Sequence, residues 1–308
     1  MRRTLLSLHK YCFKIALLSV LIAATGVPCP AAVPEFIVVQ SADIKPFNEA
    51  RAGFESTCRC NIADVIITGA DRRDIVGIIH RTNPDGVLAI GVDALAKVKN
   101  IQNIPLFYTM ATAVTGSDQE LKNISGINML IAPEMQVQTI MEVLPAAKRI
   151  GVIYDFRHSS YFVERALRYA SGHGLEILAL QVSESKDVIS LLNSLKGRID
   201  VLVMLPDVTV INRENVSGFL QFSFSTGVPI FTFSEKYVEI GAFAAIAVDP
   251  FDLGAQAGEI ARKAMLRSES RPVHMYARKK ILYINLKIAQ KLKINIPAAI
   301  ANKSVLVK

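Results

Sequence analysis

The chain has 308 residues, 51% of them hydrophobic and 20% charged, with a formal net charge of +8 and four cysteines. That length suits about two domains. Lysines and arginines are scattered singly apart from Arg278-Lys279-Lys280, read here as a solvated turn before a strand. With no concentrated basic stripe and no helix-turn-helix segment, no nucleic-acid partner is expected.

Residues 1–32 are a different material. Arg2, Arg3, Lys10 and Lys14 precede an apolar run over 15–25, and Gly26, Pro28 and Pro30 break it before Ala31-Ala32. This is the order of a secretory signal peptide, and the run is too short to span a bilayer comfortably. Cleavage is expected near Ala31 or Ala32, leaving an exported, periplasmic chain that starts close to Val33 with a net charge of about +4. Two cysteines then remain, Cys58 and Cys60, as two thiols or one local disulfide at a helix end. The nearest histidine in sequence, His80, is distant and the histidines lack ligand spacing, so no metal site is expected.

From Phe36 the chain alternates β-branched runs with helical periodicities. Strands are predicted at 36–39, 64–68, 86–90 and 105–109, with a fifth at 127–131. A helix over 46–54 turns Phe47, Ala50 and Phe54 inward. Another carries Ile75, Ile78 and Ile79 on one face, capped by Asp71. A second series opens with a helix from Pro133 that buries Val137, Ile140, Met141 and Leu144 and closes at Pro145. Strands follow at 149–154, 176–180, 201–205 and 229–233, with a helix around Val163, Ala166, Leu167 and Ala170 that ends at Gly172. The apolar run over 242–248 then stops at Asp249-Pro250. Leu253, Ala257, Ile260 and Ala264 next mark one buried helical face, with Asp249 suited to the N-cap and Pro250 to the first helical position. Two successive βαβ series of similar size predict an α/β protein of two doubly wound lobes with parallel sheets.

Enzyme signatures are absent: no phosphate loop, no dinucleotide fingerprint, no nucleophile elbow and no H-E-x-x-H. No catalytic residue and no cofactor are therefore assigned. What remains is polar residues at the carboxyl ends of strands, where a doubly wound sheet forms its crevice. The candidate ligand-binding residues are Ser41, Asp43, Gly91, Val92, Thr109 and Met110 in lobe one, in a segment running on to Thr112. Lobe two contributes Tyr154, Asp155, Pro206, Asp207, Ser234 and Glu235, and Asp249 stands beside them. Asp43, Asp155, Asp207 and Asp249 equally suit the N-caps of the helices that follow. Tyr154, Phe156 and Tyr237 equally suit core or interface packing.

Several segments carry a resemblance. Asn123-Ile-Ser-Gly-Ile-Asn128, Arg149-Ile-Gly-Val-Ile-Tyr-Asp155, the block 241–264 and the tail Ile284-Asn-Leu-Lys-Ile-Ala-Gln-Lys-Leu-Lys-Ile-Asn-Ile-Pro297 together resemble ABC-transporter substrate-binding proteins of the tryptophan/tyrosine-binding type. The resemblance implies a type I periplasmic binding protein fold, two Rossmann-like lobes joined by three crossings, here near residues 131, 248 and 276. It implies lobe one at 33–131 plus 249–275 and lobe two at 132–248 plus 276–308. It further implies a monomer that captures a small molecule, such as an amino acid or related solute, and delivers it to an ABC permease. A ligand-sensing subunit for a signalling receptor is the alternative. One departure stands out: the family's usual Thr/Ser-Asp-Pro run is replaced by Tyr108-Thr-Met-Ala-Thr-Ala-Val-Thr-Gly116, which favours a neutral or differently charged solute, or the sensory role.

Overall fold

The computed structural model describes residues 33–67, 74–111, 123–266 and 271–308. The expected leader, Thr68, Asp71 and Thr112 lie outside the described residues. The first series runs β1 (Glu35–Gln40), α1 (Lys45–Cys58), β2 (Asn61–Ile66), α2 (Ile75–Thr82), β3 (Gly86–Ile90), α3 (Val92–Val98), β4 (Leu106–Ala111) and β5 (Ile124–Ile131). The second runs α4 (Pro133–Val143), β6 (Arg149–Tyr154), α5 (Phe156–Ser171), β7 (Glu176–Gln181), α6 (Val188–Ser194), β8 (Val201–Val203), α7 (Arg213–Thr226), β9 (Ile230–Thr232), α8 (Glu235–Glu239) and β10 (Ala244–Val248). The chain closes with α9 (Pro250–Met265), β11 (His274–Ala277), β12 (Lys280–Asn285), α10 (Leu286–Lys291), α11 (Ala298–Ala301) and β13 (Val305–Val307).

These strands form two sheets, in the orders β2-β1-β3-β4-β5-β11 and β7-β6-β8-β9-β10-β12-β13. The first is parallel throughout, and in the second only the β10–β12 pairing is antiparallel. Successive residues of a strand face opposite sides, so both sides of each sheet must be covered. Phe36, Val38, Leu88 and Phe107 accordingly pack on one side of sheet one, and Ile37, Val39, Val87, Leu106 and Tyr108 on the other. Both sheets share one winding order, and the chain passes between them three times: at Ile131–Pro133, at Val248–Pro250 and at Arg278-Lys279. The third crossing falls just beyond Tyr276, because Tyr276 and Ala277 still pair with β5.

The helix α9 shows why the second crossing is needed. The Asp249 carboxylate accepts from the Asp252 amide at 3.0 Å, and Pro250 occupies the first turn. Leu253, Ala257 and Ile260 are buried as their spacing predicts. Although α9 follows a strand of sheet two, it packs along α1 of lobe one. Their backbones touch through glycine: a Cβ on Gly254 would strike the Ala50 carbonyl oxygen, and one on Gly53 the Phe251 carbonyl. Thr57 adds a hydrogen bond, its hydroxyl donating to the Ala255 carbonyl at 2.8 Å.

Several expectations are corrected. Strand β2 occupies Asn61–Ile66, earlier than the 64–68 predicted, and α2 is capped by Asp74, which accepts from the Gly77 amide at 2.8 Å. Leu167 faces solvent, while Phe162, one turn earlier, is buried with Val163 and Ala166. Arg278 and Lys279 do form an exposed bend before β12, where both hold Asp252, and Lys280 reaches Glu142. Sequence spacing reports the period of an element but not what packs above it. Cys58 and Cys60 are joined as a disulfide at the end of α1.

Candidate functional site

With the order 2-1-3-4-5, each sheet reverses direction of winding between its first and third strands, and a crevice opens at the carboxyl ends there. In sheet one the residues after β1 and β3 are Ser41 and Gly91. Ser41 donates its amide to the Ile90 carbonyl at 2.9 Å, and its hydroxyl accepts from the Ala94 amide at 2.9 Å. Gly91 adopts φ 94°, and a Cβ there would meet the Ser41 side chain, so this approach requires glycine. Val92 is exposed at the start of α3, and exposed Asp43 accepts from Asn48 at 2.8 Å.

In sheet two the residues after β6 and β8 include Asp155 and Asp207, and here the structure brings the sequence candidates into direct contact. The Asp155 amide donates to Asp207 Oδ2 at 2.9 Å, and Ser159 Oγ donates to the same oxygen at 2.7 Å. The Thr209 amide donates to Asp207 Oδ1 at 3.0 Å, while Thr209 Oγ1 donates to Asp155 Oδ2 at 2.7 Å. Arg157 donates to Asp155 through its amide and its guanidinium. These hydrogen bonds, Arg157's foremost, hold the Asp155 carboxyl well below the usual carboxylate range despite burial. Ser159, Thr209 and Arg157 were not singled out from sequence. The Asp-x-Thr spacing of 207 and 209 was the available signal, since an aspartate readily bonds the amide two residues on.

Glu235 and Asp249 approach one phenol. Burial, with Glu235, Glu49 and Asp249 around it, raises the Tyr283 pKa above its ordinary value. Glu49 belongs to α1, Glu235 to α8 and Asp249 to the second crossing, so this group gathers acids from both lobes. Tyr154, Pro206 and Ser234 are half-buried. Met110 takes φ 53° where the β4–β5 register shifts.

Two further features stand out. Thr109, within β4 of lobe one, and Thr232, ending β9 in lobe two, are fully buried with hydroxyl oxygens that have no partner among the described residues. Buried polar atoms are nearly always paired, so such an orphan marks a group that water or a ligand would satisfy. Large apolar side chains also stand exposed where strands hand over to helices or loops: Ile44 and Val92 in lobe one, Phe156 and Val208 in lobe two. A separate groove of about 370 Å³ lies at the amino ends of β4 and β5, between Ile104, Phe107, Asn123, Ile260 and Arg271, away from this crevice. Among the described residues no cluster could hold a metal ion, and no helix is long and apolar enough to cross a membrane.

Two like-wound α/β lobes with polar strand ends and three crossings define a two-lobed solute-binding protein. The family model of ABC transporter substrate binding proteins matches residues 66–308, and the chain belongs to that family. It is 27% identical to a tyrosine-binding protein of Clostridioides difficile over 176 residues, 54% of this chain and 50% of that protein, so the match spans about half the length of that curated relative. Among solved structures it is similar to a conserved domain protein from Vibrio cholerae, with 25% identity and a TM-score of 0.61 over 90% of this chain and 100% of that one. The ligand-free, open structure of a substrate binding protein with adhesive properties from Clostridium difficile gives a TM-score of 0.70 at 21% identity, over 90% and 99%. An ABC domain from Streptococcus pneumonia in complex with L-Trp gives 0.61 at 20%, over 90% and 100%.

Proposed function

We propose that this chain is exported, captures a small amino acid-like solute between its two lobes, and presents the closed form to an ABC permease. The lobes turn about the three crossings, with lobe one formed by residues 33–131 and 249–277. Solute binding shifts the open–closed equilibrium by its higher affinity for the closed form. The carrying observation is the pair of orphan hydroxyls, Thr109 Oγ1 and Thr232 Oγ1, one in a strand of each lobe. The exposed apolar residues Ile44, Val92, Phe156 and Val208 favour a solute with an apolar or aromatic side chain. That fits a relative named for binding tyrosine and a fold neighbour holding L-Trp. Asp155 and Asp207 shape the lobe-two lip, while Ser41, Gly91, Tyr154 and Ser234 line the approach. The leader pattern over 1–32 supports export.

A thermal-shift screen of amino acids, nucleosides and small acids tests the reading. A ligand at a hundred times its Kd adds about 2.7 kcal/mol of stability, which is several degrees. The chain contains no tryptophan, so the fluorescence of added L-tryptophan reads its binding directly. Stabilisation by L-tyrosine or L-tryptophan is expected. A flat response to every small solute would overturn the proposal.

A further inference from the structure

The charge of this chain is unevenly placed. Nine of its 35 lysines and arginines lie in residues 271–308, which contain no aspartate or glutamate, leaving 26 bases against 27 acids elsewhere. Arg278, Lys279 and Lys280 are spent on Asp252, Glu259 and Glu142. Lys287, Lys291, Lys293, Lys303 and Lys308 are exposed, and among the described residues none of them has an acidic partner.

Four of these lysines share one end of lobe two. Strand β12 runs antiparallel to β10, so its carboxyl end lies away from the crevice, and α10 begins there with Leu286-Lys287. The parallel register sets Val307 beside Asn285, which places Lys308 at the start of α10. Lys287 and Lys291 stand four apart on α10, and Lys293 follows it. Lys303, at the other end of β13, lies outside this group.

Apolar side chains accompany the lysines. Lys291 Nζ sits 4.2 Å from the centroid of the Phe224 ring, which is 40% exposed. Phe224 in turn adjoins Gly241, whose neighbour Ile240 is 51% exposed. Asn285 ties the group together: its side chain caps α10 through the Ile288 amide and donates to the Val238 carbonyl in α8. Glu239 is the acid nearest to this surface in chain order. A rigid face of unpaired lysines around an exposed aromatic and an exposed aliphatic side chain matches an anionic lipid surface: the ammonium groups meet headgroup phosphates while Phe224 and Ile240 enter the interface.

We infer that the end of lobe two formed by Lys287, Lys291, Lys293, Lys308, Phe224 and Ile240 is a docking surface for an anionic phospholipid membrane. The patch lies at the strand ends opposite the crevice, so membrane docking through it is a state distinct from delivery to the permease. This inference is independent of the solute, because it uses none of the strand-end residues.

Co-sedimentation with vesicles tests it. Pro34–Lys308 form one compact unit, so the chain from Val33 is used and the apolar leader does not contribute. Binding is expected to phosphatidylcholine vesicles containing phosphatidylglycerol, with little to phosphatidylcholine alone, and it should weaken steeply with salt. One lysine near such a surface contributes about fivefold. Replacing Lys287, Lys291, Lys293 and Lys308 together by glutamine should therefore reduce partitioning by roughly 100-fold or more. Phe224→Ala should reduce it less, and Lys303→Gln little; melting curves check that each variant is folded. Equal binding to neutral and anionic vesicles, or an unchanged fourfold variant, would overturn the proposal. So would absence of vesicle binding beside salt-sensitive retention on immobilised polyglutamate, which would identify an acidic protein as the partner.

Discussion

Arg278, in the third crossing, closes its guanidinium on the carboxylate of Asp252 in α9, with Nη2 2.8 Å and Nε 3.0 Å from Oδ1. Its remaining nitrogen reaches both oxygens of Glu259 at 3.0 Å. Asp252 is 3% exposed, so this pair pins the last crossing to the helix that completes lobe one. Burial alone would raise the Asp252 pKa, but Arg278 and Lys279 outweigh it and hold it below the ordinary value.

Removing Arg278 leaves a buried carboxylate with Gln256 and Lys279 as its remaining partners. Because the guanidinium is half exposed, the loss is well under that of a fully buried pair. Arg278→Ala should cost about 1–2 kcal/mol in a urea titration, and Arg278→Lys less.

The contact between α1 and α9 should tolerate no side chain at its closest point. Gly254→Ala directs a methyl into the Ala50 carbonyl and must part the helices. The expected cost is about 2–3 kcal/mol, the scale for overpacking, although alanine is the better helix former. Gly174→Ala, where a Cβ meets nothing within 4 Å but φ is 70°, should cost less. Their denaturation midpoints compare the two effects.

Asp207 and Asp249 should separate in kind. Asp207 accepts from the Asp155 amide, Ser159 and the Thr209 amide, all inside lobe two. Asp207→Ala should cost about 3 kcal/mol, since it strands buried donors. Asp249→Ala removes a single cap bond and should cost about 1 kcal/mol. Calorimetric melting measures both, and titration of the folded variants with the solute found by thermal shift measures any effect on affinity.

Asp155 and Asp252 both titrate below their ordinary value in the folded protein. Their stabilisation is therefore complete above about pH 4, the unfolded carboxylate pKa, and is lost as pH falls through the lower folded values. Asp155→Asn should lower stability at neutral pH yet flatten the acid limb of a stability–pH curve. A variant limb as steep as the wild type's would assign acid sensitivity to other groups.

Most of the architecture was legible in the order of residues. Periodicities of two and of about 3.6 depend on which side chains a strand or helix can bury, and that is local information. Hence β1, β3, β6, α4 and α9 appear close to where their apolar spacing puts them, and Asp249-Pro250 marks the start of α9. The winding order follows as well, because successive βαβ units have one favoured hand. Pairings between distant segments were not legible. Nothing local announces that Asp155 and Asp207 share hydrogen bonds, that Arg278 reaches Asp252, or that Val307 pairs with Asn285. Leu167 carries the apolar spacing of its helix yet faces solvent, while Phe162, Val163 and Ala166 form the buried face. Which carboxylate is satisfied, which lysine is free and which hydroxyl is orphaned depends on what the chain brings back from far away. Those assignments belong to the tertiary structure, since hydrogen bonds and ion pairs act over a few ångströms in space whatever the separation in sequence.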